Sequence, residues 1–248
     1  MKRIMLTVAY DGTDYSGWQI QPHAETIEGI LNRELSRLLG EEIRVIGASR
    51  TDAGVHAEGA VCVFDTESRI PPEKFSYALN QSLPQDIRIR SSEEVAGDFH
   101  PRKCDCRKTY AYRIWHDEFP MPTKERYTYW IYTKLDVDRM RKAASYLVGQ
   151  HDFASFCSTH TQTENTVRTI YYLSVLEEGK EITILICGNG FLYNMVRIIA
   201  GTLIEIGQGK REPEEVKEML LARDRASSGP TAPPQGLCLM EYEFEDED

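Results

Sequence analysis

The sequence predicts an α+β fold of two βαββαβ units in tandem, forming an extended antiparallel sheet with helices packed on one face. Three observations lead there. Apolar residues alternate with period two in short runs and recur at helical spacing in longer ones. The order strand, helix, strand, strand, helix, strand occurs twice. Charge, Pro and Gly content shift around residues 97–107, which places an N-terminal α+β domain at 1–105 and a C-terminal one at 106–248. The composition is ordinary for a globular chain of 248 residues, at 41% hydrophobic and 27% charged, and the length suffices for two domains.

The first strand is predicted at 4–10, where Ile4, Leu6, Val8 and Tyr10 share one face, and it ends at the turn pair Asp11-Gly12. Ile27, Ile30, Leu31, Leu35 and Leu38 then recur at helical spacing, with Thr26 as N-cap and Gly40 as a left-handed stop. Strands are predicted at 43–46, 61–64 and 87–89, with a helix opened by Pro71-Pro72 and carrying Phe75, Ala78 and Leu79 before the last of them. The second half repeats the order: a strand at 109–115, a helix at 137–148, strands at 169–176 and 182–187, a helix at 191–206 and a closing strand at 237–244. An extra helix over 213–223 precedes that last strand, with Pro213 in its first turn. The free sheet face, or the cleft between the halves, is the expected working surface.

The formal charge of −10 by itself argues against a polyanionic partner. Its distribution does not. Six of the last eight residues are acidic, whereas Arg102, Lys103, Arg107, Lys108 and Arg113 are opposed only by Asp105. A polarised molecule is expected, positive near Arg50, Arg102, Lys108 and Arg197 and negative on the outer helices and the C-terminal tail. The six cysteines are too sparse for a stapled secreted fold and suit a reducing, cytoplasmic compartment. The basic N-terminus leads an apolar run that stops at Tyr10, too short for a signal-peptide core. The apolar stretch 192–206 is broken by Asn194, Arg197 and Glu205, so no membrane span is expected.

Chemistry concentrates at few places. In the block Arg50-Thr51-Asp52-Ala53-Gly54-Val55-His56-Ala57, Asp52 is a carboxylate ordinarily ionised at neutral pH, and Gly54 permits a tight turn that would hold it at a loop tip. The same spacing also suits a plain Asx turn with solvated neighbours. The basic run is interleaved with Tyr110, Tyr112 and Trp115, a mixture that suits RNA, since cations neutralise phosphates and rings stack on unpaired bases. Tyr110, Tyr112 and Ile114 fall on one face of the strand, so at least one tyrosine can be core. Arg197, inside an apolar helix, needs a carboxylate or anion partner or a route to solvent, and periodicity does not choose between them. His100, Cys104 and Cys106 lack a second pair at finger spacing, so no metal site is expected. Gly188-Asn189-Gly190 lacks the third glycine of a dinucleotide cradle, and no GxSxG elbow occurs.

Taken together these segments resemble the tRNA pseudouridine synthase A family. The resemblance is carried by Tyr10-Asp11-Gly12 with Tyr15-Ser16-Gly17-Trp18-Gln19-Ile20-Gln21-Pro22, by the Arg50 to Ala57 block, and by Asn80, Leu83-Pro84 and Asp86-Ile87. Further on it is carried by Phe99-His100, Arg102, Lys108-Thr109-Tyr110-Ala111-Tyr112, Asp152-Phe153, Ser155-Phe156, Arg168-Thr169-Ile170, Phe191, Met195-Val196-Arg197 and Pro234-Gln235-Gly236-Leu237. It implies two similar ferredoxin-like halves flanking a catalytic cleft, and an isomerase that turns uridine into pseudouridine at positions 38 to 40 of the tRNA anticodon stem-loop. It further implies a homodimer working without metal or cofactor. By the resemblance, Asp52 is the catalytic aspartate, Tyr110 stacks on the target base and assists proton removal at C5, Arg197 pairs with the aspartate, and Arg50 helps displace the nucleotide. Arg102, Lys108, Arg168 and Phe191 are expected substrate contacts. Ser49 stands where glycine is usual, and Cys104 and Cys106 where small alanine-like residues are usual. Two other classes compete: a non-catalytic RNA-binding module, which has no need of Asp52, Tyr110 and Arg197 together, and a glycosidase-like hydrolase, for which no second carboxylate is nominated.

Overall fold

A computed structural model describes residues 1–159 and 165–244, so residues 245–248 of the acidic tail lie outside the described residues. The described residues form a mixed α+β structure with ten mostly antiparallel strands and five α-helices. The chain divides into two compact units, Met1–Asp105 with the closing residues from Leu239 onward, and Cys106–Cys238.

The first unit runs β1 (Lys2–Tyr10), α1 (Ile27–Leu39), β2 (Ile46–Gly47), β3 (His56–Thr66), a 3-10 turn at Pro72–Lys74 leading into α2 (Phe75–Leu79), and β4 (Ile87–Val95). Central β1 lies antiparallel between β3 and β4, and β2 pairs with β3. The period-two pattern is realised on β1, where Ile4, Leu6, Val8 and Tyr10 are buried. Phe64 on β3 meets Phe75 on α2 edge-on at 5.3 Å. Thr26 caps α1 by accepting the Gly29 N–H, and Gly40 closes it in the left-handed conformation. The predicted strand at 43–46 is not formed as such: only Ile46–Gly47 pair. The α1 side chains Ser36 and Asn32 accept the Ile43 and Val45 N–H groups, so those amides are not available to a ladder.

The second unit runs β5 (Cys106–His116), β6 (Tyr129–Ile131), α3 (Val137–Ser145), β7 (Gly149–Asp152), β8 (Val167–Glu178), β9 (Glu181–Gly188), α4 (Met195–Gly207) and α5 (Glu215–Ala222). β10 (Leu237–Phe244) starts in this unit and finishes among the residues of the first. β9 lies antiparallel between β5 and β8, β7 pairs with β8, and β6 adds to β5 in parallel. β6 and β7 were not predicted; both are short, and β7 reads Gly-Gln-His-Asp, with no apolar alternation to reveal it. Ile182, Ile184 and Ile186 of β9 and Ile198, Ile199 and Leu203 of α4 are fully or almost fully buried. α4 begins at Met195, four residues later than its apolar pattern predicts, because Asn194 is left-handed (φ 60°, ψ 8°). No helix among the described residues is long and apolar enough to cross a membrane.

Candidate active site

In the first unit, the Arg50 to His56 block is the connection from β2 to β3. The Val55 N–H donates to the Asp52 main-chain carbonyl at 3.2 Å, closing a turn in which Gly54 takes φ 77°. Asp52 is half-buried at this turn and Arg50 is exposed beside it. The turn is held by a second segment, residues 10–18, from about forty positions earlier. The Tyr10 hydroxyl bonds Thr51 Oγ1 at 2.7 Å, the Trp18 N–H donates to the Thr51 carbonyl at 3.0 Å, and the Gly54 N–H donates to the Tyr15 carbonyl at 3.3 Å. The Gly12 N–H donates to His56 Nδ1 at 3.1 Å.

Two glycines make this contact close. A Cβ on Gly12 would stand 2.0 Å from the Val55 carbonyl oxygen, and one on Gly17 (φ 85°) would stand 2.6 Å from that of Thr51. No side chain fits either gap. Tyr15 anchors the clamp in turn: its hydroxyl donates to Asp86 Oδ1 at 2.8 Å, and burial together with that carboxylate pushes its phenol well above the usual tyrosine value. The carboxylate of Asp52 therefore projects from backbone that is fixed on both sides.

In the second unit, Tyr110 is buried on β5 opposite Ile186, and its ring meets Phe191 edge-on at 5.2 Å. Phe191 precedes α4 and is not in it. Lys108, two residues before Tyr110 on the same strand face, lies opposite Gly188. Burial holds its ammonium below the usual lysine range, a shift that Arg168 reinforces and Cys106 opposes. Burial likewise lowers Arg168, whose Nη1 donates to the carbonyls of Asn165 and Val167. Lys108, Tyr110, Arg168 and Phe191 thus belong to one neighbourhood. Tyr112 is core: it is fully buried and its hydroxyl donates to the Pro233 carbonyl at 2.9 Å. Arg107 lies over the ring of Tyr171 at 4.8 Å, and Arg102 is an exposed turn residue whose N–H donates to His100 Nδ1 in the first unit.

Arg197 is the third residue of α4, half-buried, and its guanidinium donates to the Ala232 carbonyl at 2.7 Å from Nε and to Asn194 Oδ1 at 2.8 Å from Nη1. Two groups were not read from the sequence as parts of a site: the clamp at 10–18, which entered only among the motifs that carry the family resemblance, and Asn194, which the predicted helix over 191–206 runs straight through. Among the described residues no three His, Cys, Asp or Glu side chains gather as metal ligands.

A family model described as tRNA pseudouridine synthase matches residues 6–102 and 143–245. A tRNA pseudouridine synthase A from Brevibacillus brevis is 51% identical over 98% of this chain and 100% of its own length. One from Ruminiclostridium cellulolyticum is 48% identical, also over 98% of this chain and all of its own. Among solved structures, a Cbf5-Nop10-Gar1 complex is matched over 96% of this chain and 59% of that one, at 12% identity and a TM-score of 0.36. The sequence likeness spans both units and takes in the Asp52 turn, its clamp and the Tyr110 strand, and by it the chain belongs to the tRNA pseudouridine synthase family.

Proposed function

We propose that this protein isomerises uridine to pseudouridine at positions 38 to 40 of the tRNA anticodon stem-loop, as a homodimer in the cytoplasm, with Asp52 as the attacking carboxylate. The observation that carries the reading is the clamped turn at 51–55, because a carboxylate attacking a ribose or base must be held still while the glycosidic bond breaks. Family membership supplies the substrate class.

The chemistry sets three demands. A uracil stacked in a stem is out of reach of a carboxylate on a turn, so the nucleotide must leave the stack, at a cost of a few kcal/mol. Stacking on Tyr110, and phosphate contacts from Arg50, Arg102, Lys108 and Arg168, offset that cost, with Phe191 buttressing the tyrosine ring. Breaking the bond develops positive character on the ribose, which an ionised Asp52 aligned by Arg197 stabilises. The detached uracil then turns and rejoins through C5 while Tyr110 assists removal of the C5 proton. Uridine and pseudouridine are isomers, so the sequence of steps calls for neither oxidant nor group donor.

The direct test is to map pseudouridines in tRNA from cells lacking this protein: loss at positions 38 to 40 alone is the expected result, and an unchanged map overturns the reading. Lys108 gives a second test through its lowered proton affinity. As pH rises, the wild-type chain is expected to lose tRNA affinity before ordinary lysines titrate, because the buried ammonium deprotonates first. Lys108→Arg keeps its charge throughout and flattens that limb. Binding titrations at fixed ionic strength check this, and the same pH dependence in both proteins removes Lys108 from the RNA surface.

A further inference from the structure

We infer that Asn194 is a positioning residue for the reaction, fixing the guanidinium of Arg197 in the orientation it uses. The inference deepens the proposed function and rests on its reading of Arg197 as the partner of Asp52. Asn194 is one of only three residues other than glycine with positive φ among the described residues, and it sits immediately before α4. If the fold needed only a left-handed residue there, glycine would meet the need without steric cost. The side chain that is present spans two partners: Oδ1 accepts from Arg197 Nη1 at 2.8 Å, and Nδ2 donates to Ser158 Oγ at 2.9 Å. Arginine only donates, so the amide can face it only through its oxygen, which leaves the NH2 group for Ser158.

Ser158 is itself tied down, its N–H donating to the Tyr193 carbonyl at 3.1 Å. The left-handed backbone turns the amide back along the first turn of the helix, toward the residue three positions on. The other acceptor comes from a separate segment. Ala232 receives Nε on its carbonyl and donates its N–H to the Arg197 carbonyl at 3.0 Å, and nearby Gly229 donates its N–H to Thr202 Oγ1 at 2.9 Å, so this segment is pinned along α4. An arginine side chain has four rotatable bonds, and acceptors on two different segments leave its planar fork little freedom. Both acceptors are neutral. They orient the guanidinium without themselves bringing an opposing charge to it.

The test is Asn194→Gly in the full chain, which keeps the left-handed backbone and removes the amide. The single-turnover rate of pseudouridine formation is expected to fall about tenfold to a hundredfold, with tRNA affinity within about twofold and the thermal midpoint unmoved. Ser158→Ala, which only loosens the amide, is expected to lower the same rate by a smaller factor. A rate for Asn194→Gly within twofold of wild type overturns the inference, as does a loss of affinity or of thermal stability that accounts for the lost rate. Asp52→Asn run in parallel separates the two readings. If it too is active, the proposed function fails; if it is inactive while Asn194→Gly is wild-type-like, only the role of Asn194 fails.

Discussion

Asp52→Asn is expected to yield a folded protein that binds tRNA and releases no tritium from C5-labelled uridines, a rate loss of at least about a thousandfold. The substitution conserves size and shape. Main-chain atoms of Thr51, Asp52, Gly54 and Val55 and the Thr51 hydroxyl make bonds that hold the turn, and asparagine at 52 leaves these in place. What is lost is the nucleophile and its attraction for developing positive charge on the ribose. Release at the wild-type rate sinks the assignment of Asp52. Loss of tRNA binding in step with activity would instead mark the residue as part of the binding surface.

Gly12→Ala is expected to be the most damaging single methyl in the neighbourhood of the turn. The added Cβ would lie 2.0 Å from the Val55 carbonyl oxygen and 2.6 Å from its carbon, atoms of backbone with no rotamer to change. Either the 10–18 segment or the turn has to move by more than an ångström. Forced shifts of this kind cost about 3 kcal/mol or more, which for a chain of this size lowers the thermal midpoint by roughly 6 to 12 °C. Because the displaced atoms follow Asp52 by three residues, the rate of isomerisation is expected to drop with the midpoint. Thermal unfolding and single-turnover rates on the same preparation check both, and an unchanged midpoint means that the clamp is not where the turn draws its rigidity.

Much of the fold was legible because burial writes itself into periodicity. The alternation of Ile4, Leu6, Val8 and Tyr10 and the helical spacing from Ile27 to Leu35 state which faces are covered, and those residues are buried. Leu38, at the frayed end of the same stripe, is exposed. Where hydrogen bonds rather than burial decide, pattern gave less. The 43–46 segment is apolar enough for a strand, yet Ser36 and Asn32 take its amides. The helix predicted from 191 starts at Met195, because one left-handed residue stops a helix without altering the sequence of apolar side chains.

The candidate site divides in the same way. By itself the sequence determined the residue types and the chemistry they allow: an aspartate on a glycine-bearing turn, a basic strand interleaved with tyrosines, and an arginine embedded in apolar surroundings. Only the tertiary structure decided that Gly12 and Gly17 exist to let one segment lie against another some forty residues away, that Tyr112 is core while Tyr110 faces Phe191, and that Arg197 is steered by Asn194 and Ala232. The reason is physical: side-chain periodicity records which residues leave water, a property of each element alone. A close approach or a directed hydrogen bond is a relation between two segments, and it exists only once both are folded.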